Sequence, residues 1–130
     1  MGSQQLMIIV LVVFVVGLSI VTGIRLVASF NQSNERDMIL VQMQTVVGEA
    51  KKYYAKPKSI GGGEGSFVGF EPPARFTSTD RIRLYMTIGN DWILFQGFGN
   101  VVGWDGVTTV QLVAQYDQPL QDWSSITPVN

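Results

Sequence analysis

Leu6 to Ile24 reads LMIIVLVVFVVGLSIVTGI, nineteen residues with no charge and only Ser19 and Thr22 as polar interruptions. At 1.5 Å per residue a helix of that length spans roughly 28 Å, close to the ~30 Å hydrocarbon core of a bilayer. No Lys, Arg, Asp or Glu occurs before Arg25. The stretch can therefore cross a membrane. A secretory signal peptide would instead carry a basic n-region and an apolar core of about 7–15 residues. Met1 to Gln5 is uncharged and the run is longer than that, so the run is expected to stay in the mature chain.

Downstream the helical pattern continues. Ile39, Met43, Val46, Val47, Ala50 and Tyr53/Tyr54 recur as one apolar stripe at period 3.6, with Gln42, Gln44, Glu49, Lys51 and Lys52 between them. Asn31 to Asn34 reads as a solvated face of the same helix. No Pro interrupts before Pro57, and Lys51, Lys52 and Lys56 fall in the closing turns, where cations favour the helix dipole. A helix from about residue 4 to 56 is roughly 80 Å long. A compact body made from the remaining 74 residues is only about 25–30 Å across. The N-terminal half is therefore expected to protrude and to need lipid or other chains as cover.

Residues 57–130 read as a Gly-rich loop and a small β domain, distinct from the helical segment 1–56. Gly61, Gly62, Gly63, Gly65 and Gly69 interleave with Phe67 and Phe70, which suits a structured loop pinned by two aromatics. Ile82, Leu84, Met86 and Ile88 then alternate with polar positions. Gly89-Asn90 predicts a two-residue hairpin turn before a strand over Trp92–Phe98. Gly99-Asn100 and Asp105-Gly106 predict two further turns around a short Val101–Trp104 strand. Val110, Leu112, Ala114 and Tyr116 form one face of the next strand, and the tail between Pro119 and Pro128 reads as irregular. The fold class is α+β: a long N-terminal helix packed at its C-terminal half on a small antiparallel meander, because one apolar sheet face needs a partner layer and only the Ile39–Tyr54 stripe supplies it.

Composition excludes much chemistry. The 130 residues contain no Cys and no His, which removes disulfide scaffolds, thiolate nucleophiles, zinc fingers and the Ser-His-Asp triad, so an enzyme is not expected. The net charge of −1 argues against a nucleic-acid partner. Gly61-Gly-Gly-Glu-Gly65 lacks the Lys-Ser/Thr and the strand–helix context of a phosphate loop. Asp80, Asp91, Asp105, Asp117 and Asp122 lack the spacing of a Ca²⁺ loop, and Asp91 and Asp105 fit turns instead. Lys51, Lys52, Lys56 and Lys58 form a basic cluster best read as a solvated helix end; Arg81 and Arg83 fit a sheet edge. No cofactor or metal is implied.

The order of an uncharged start, an apolar run from Leu6, an amphipathic continuation, a loop and an antiparallel sheet resembles that of type IV pilins and their pilin-like, pseudopilin-type relatives. Ala50-Lys-Lys-Tyr-Tyr-Ala-Lys-Pro57 is similar to the end of the long pilin helix, and Lys58 to Phe70 to a Gly-rich αβ-loop of short members. The resemblance implies a subunit held in the inner membrane before assembly and then built, with identical copies, into an extracellular helical filament for adhesion, motility or surface attachment. It also implies a prepilin peptidase and a pilus assembly machinery as partners. The assembly residues it suggests are Met1, Gln5, Leu6, Val10, Val13, Phe14, Gly17 and Gly23. The family's usual Glu at the fifth mature position is Gln5 here if Met1 is the mature start, and Met7 if processing follows Gly2; the first register starts the apolar run at position six, as in the family. The C-terminal disulfide loop of larger pilins is missing, so Trp123, Ile126 and backbone pairing are expected to hold the tail. The positive-inside rule opposes this topology mildly, since Arg25 lies on the side a pilin exports.

Overall fold

The computed structural model describes residues 2–130, which form two compact units divided between Asn31 and Gln32. In chain order the elements are α1 (Gly2–Ala55), a 3-10 turn (Lys58–Ile60), α2 (Ala74–Thr77), β1 (Arg83–Ile88), β2 (Trp92–Val102), β3 (Thr109–Asp117) and β4 (Asp122–Pro128). The four strands form one antiparallel sheet in the order β1-β2-β3-β4. The class is α+β, with a long N-terminal helix and a small antiparallel meander.

The first unit is the N-terminal stretch of α1 alone. The second closes a core of its own. Ile39, Met43, Val46, Val47 and Ala50 are buried at helical spacing, against Leu84, Ile93, Phe95, Val110, Leu112, Ala114 and Tyr116 of the sheet. The two periodicities meet closely at Gly97 in β2. A Cβ there would overlap Ile39 Cγ2 and lie 3.0 Å from Met43 Cε, so glycine lets the helix rest on the sheet.

The Gly-rich segment caps α1. The last turn of a helix leaves carbonyls without partners. Here Gly63 N–H donates to Tyr53 O (2.8 Å), Gly65 N–H to Tyr54 O (3.0 Å), Glu64 N–H to Lys56 O (2.9 Å) and Gly62 N–H to Pro57 O (3.0 Å). A side chain at Gly62 or Gly63 would overlap the Lys56 or Ser66 carbonyl. Phe67 and Phe70 are buried and stack on Tyr54 and Tyr53, with ring centroids 4.9 and 5.6 Å apart. The aromatic pins anchor the loop, as the sequence pattern suggests.

Three local expectations are corrected. Gly99-Asn100 is not a turn: β2 runs through it as a single strand, with a bulge between Phe98 and Val102. The hairpin between β1 and β2 turns one residue later than Gly89-Asn90, since Gly89 N–H donates to Trp92 O and leaves Asn90-Asp91 at the tip. The tail is a fourth strand paired with β3, its register shifting between Gln115 and Tyr116. Trp123 is half-buried against Phe95 and Tyr116, but Ile126 is exposed and holds nothing; buried Asn130 does that work, accepting from Gln111 N–H through Oδ1 at 2.8 Å.

Candidate functional site

The apolar run is a surface, not a core. Every large hydrophobic side chain from Leu6 to Ile24 is between 50% and 73% exposed. A helix apolar all round belongs in lipid or inside a protein assembly. Fully burying a side chain of this kind stabilises by about 1.5–3 kcal/mol. Over this run the total reaches tens of kcal/mol, so cover by lipid or protein outweighs exposure to water.

At about 100° per residue, Leu6, Val10, Val13, Phe14 and Gly17 share one side of α1. Leu6, Val10 and Phe14 line a shallow groove with Met7 and Leu11. Gln5 and Gly23 fall on another side, where Gly23 joins Val15, Leu18, Ser19, Thr22 and Leu26. The suggested assembly residues therefore wrap the helix. Met1 lies outside the described residues. The helix is unbroken through Gly17 and Gly23, and beyond the adjoining helix backbone nothing lies within 4 Å of a Cβ position at either glycine. The polar interruptions satisfy themselves: Ser19 Oγ donates to Val15 O and Thr22 Oγ1 to Leu18 O, both at 2.8 Å.

The other candidate groups have structural employment. The loop amides that a phosphate would need are taken by backbone carbonyls of residues 53–58. Asp91 Oδ1 accepts from the Tyr54 hydroxyl at 3.4 Å. Burial, reinforced by that carboxylate, raises the Tyr54 hydroxyl above the ordinary phenol range. Asp105 accepts from the Thr108 hydroxyl and from Val107 N–H and Thr108 N–H; these bonds, the Thr108 hydroxyl first, hold its carboxyl below the usual value. Asp117 Oδ1 accepts from Gln115, and Asp122 Oδ1 from Trp123 N–H. Among the described residues, no three carboxylates converge as a metal site. Lys52 pairs with Glu49 at 3.0 Å and Lys51 lies 5.2 Å over the Tyr116 ring. Arg81 and Arg83 are exposed, Arg83 on edge strand β1.

A polar cluster at the start of the second unit escaped sequence reading. Glu35 is only 2% exposed and its Oε1 accepts from Asn100 N–H at 2.8 Å, across the β2 bulge. Gln32 Nε2 donates to Val102 O at 3.1 Å, and Arg36 Nη2 to Asn130 O at 2.7 Å. These contacts fix the β2–β3 end of the sheet to the first turns of helix in this unit. The signal was available: Glu35 sits four residues before Ile39, in phase with the buried stripe.

Compared with protein-family models, with curated proteins and with solved structures, the chain matches none.

Proposed function

We propose that the chain is a structural, non-enzymatic subunit of an extracellular type IV pilus-like filament. The run 6–24 sits in the inner membrane before assembly, and identical copies cover one another through it afterwards. The observation that carries this reading is the exposed, all-round apolar helix in a chain whose second unit closes a core of its own. The second unit closes its core without the run, and in this reading lipid and then other copies of the chain cover it. Adhesion, motility or surface attachment follow from such a polymer. The order of elements supports the pilin-like assignment.

A second reading has its own support: the run matches a bilayer in length, so a single-span anchor for a β-domain binding protein, or a secretion pseudopilin, accounts for it without a long polymer. Negative-stain microscopy of surface material sheared from cells separates the two. Filaments that contain the chain, and vanish in a Val12→Asp strain while unit 2 still folds, support the polymer. Membrane-bound chain with no filaments supports the anchor.

A further inference from the structure

The hairpin joining β2 to β3 ends in an apolar tip held in a rigid turn. Trp104 is 75% and Val107 84% exposed, with Val102 and Val129 also exposed beside them. Gly103 N–H donates to Thr108 O (2.7 Å) and Gly106, at φ +72°, donates back to Gly103 O (3.1 Å). The one charge in the turn, Asp105, spends its carboxylate on Val107 N–H, Thr108 N–H and the Thr108 hydroxyl. The turn thus ties its anion inward and presents a Trp and a Val outward. The loop at residues 57–65 differs: Lys58 and Glu64 stand exposed there, next to Lys51, Lys52 and Lys56 of the helix end.

The position of the tip says what it meets. Val102 O is bonded by Gln32 and the Asn130 side chain abuts Gly103, while Asn130 O is bonded by Arg36. The tip therefore borders the residues where the chain first joins the second unit. Only seven residues, Arg25 to Asn31, separate Gln32 from the end of the apolar run. They reach about 10 Å as helix and about 25 Å at full extension. This tether caps the distance whatever angle the two units take. If residues 6–24 span a bilayer, this end of the second unit is kept within reach of the headgroup layer. Trp, with an apolar ring and one N–H donor, favours that layer, and an apolar tip gains by entering it.

We propose that the β2–β3 hairpin tip, through Trp104 and Val107, inserts into the headgroup–acyl boundary of the membrane spanned by residues 6–24. It is a second, interfacial anchor of the unassembled subunit. The inference rests on the membrane part of the reading above. It has a functional consequence: extraction from lipid must release two contacts, and the tip becomes free for other use only after the subunit has left the bilayer.

The chain has no cysteine, so single-Cys variants label at one position. Full-length Val107→Cys, Val68→Cys and Val12→Cys, each carrying an environment-sensitive fluorophore, are reconstituted into phosphatidylcholine–phosphatidylglycerol vesicles. Val68 is an exposed position of the Gly-rich loop and Val12 the centre of the run. Brominated phosphatidylcholine is expected to quench the labels at 12 and 107 but not at 68. Iodide in the buffer is expected to quench the label at 107 several-fold less than that at 68. Quenching at 12 with position 107 behaving like position 68 overturns the tip while leaving the membrane span intact. Protection of 107 from iodide without quenching by brominated lipid means that protein covers the tip, and overturns it too. No quenching at 12 removes the span itself and the tip with it.

Discussion

Glu35 and Gly99 should behave as one unit in stability measurements. A Cβ at position 99 would sit 2.5 Å from Glu35 Cγ and 2.8 Å from its Oε1, and its three nearest neighbours all belong to Glu35. Gly99 does not have a positive φ, so alanine there is opposed by this overlap and not by backbone strain. Gly99→Ala must push Glu35 aside, and Glu35 cannot yield freely because it accepts the Asn100 N–H. Overpacking of this kind costs about 1–3 kcal/mol. Glu35→Ala removes the acceptor of the Asn100 N–H and leaves that amide without its partner, at a cost of about 1–3 kcal/mol. In the double variant the overlap is gone, because alanine at 35 has no Cγ. The double variant should therefore be less destabilised than the two single costs added together, by about 1–2 kcal/mol.

All three tryptophans, Trp92, Trp104 and Trp123, lie in the second unit, so their emission follows the unfolding of that unit and not of the apolar helix. Urea titration of full-length chain in detergent micelles, for wild type, both single variants and the double, gives the cycle. Glu35→Gln is the control: it keeps an acceptor at the same place and should cost about 1 kcal/mol, less than alanine. If Gly99→Ala costs the same in both backgrounds, within about 0.5 kcal/mol, Glu35 is not what requires glycine at the β2 bulge and the reasoning fails.

Val12→Asp would place a carboxylate in a dry environment at a cost of several kcal/mol and should abolish filaments; abundant normal filaments from that variant would refute a core made by residues 6–24. Gln5→Ala removes at most a neutral hydrogen bond near a neighbour's N-terminus, weaker than a charge-assisted one, so filament yield should fall only modestly; complete loss shows a larger role for that side chain. Asp105 is held below its ordinary value, so its contribution is present above the usual carboxylate range and is lost as pH falls through the lowered value. Asp105→Asn should therefore flatten the acid limb of the stability curve, read by tryptophan emission; an unchanged limb contradicts the assignment. In assembled filaments the backbone is expected to loosen between Gly17 and Gly23, where each glycine costs about 1 kcal/mol relative to alanine. A density map with an unbroken hydrogen-bond ladder through Val15–Leu26 would count against it.

The sequence was legible where one periodicity governed a segment and its face was buried. The stripe at Ile39, Met43, Val46, Val47 and Ala50 and the β3 face at Val110, Leu112, Ala114 and Tyr116 are both buried as their spacing suggests. Reading failed where a tertiary contact overrode local chemistry. Gly99-Asn100 has turn composition, yet its glycine makes room for Glu35 and its asparagine amide binds the same carboxylate. β4 was unreadable for another reason: of its seven residues only Trp123 is even half-buried, so no alternation records which face it turns to the sheet. Ile126, the apolar residue expected to pin the tail, pairs with buried Ala114 but lies on the edge strand β4, where it stays exposed. The candidate assembly residues were legible as an apolar run but not as a face, because a helix apolar on every side has no phase to read.

The same lack of phase bears on how one helix serves in two surroundings. Lipid offers no hydrogen bonds, so a helix entering or leaving it must be satisfied within itself. The run meets this condition: its backbone is continuous helix and both polar side chains bond carbonyls of their own helix four residues back. Apart from the loosening expected between Gly17 and Gly23 and a contact at Gln5, transfer from lipid to a bundle of copies then exchanges one apolar cover for another. Hydrophobic gain is nearly cancelled between two such apolar surroundings, so the preference for the bundle must come from close packing, to which small residues such as Gly17 and Gly23 contribute. A polar contact at Gln5 would add register. Under the proposed function, the run is uniformly apolar because it has to leave the membrane as readily as it enters, and the specific contacts that hold a filament together fall to the few positions where the run departs from uniformity.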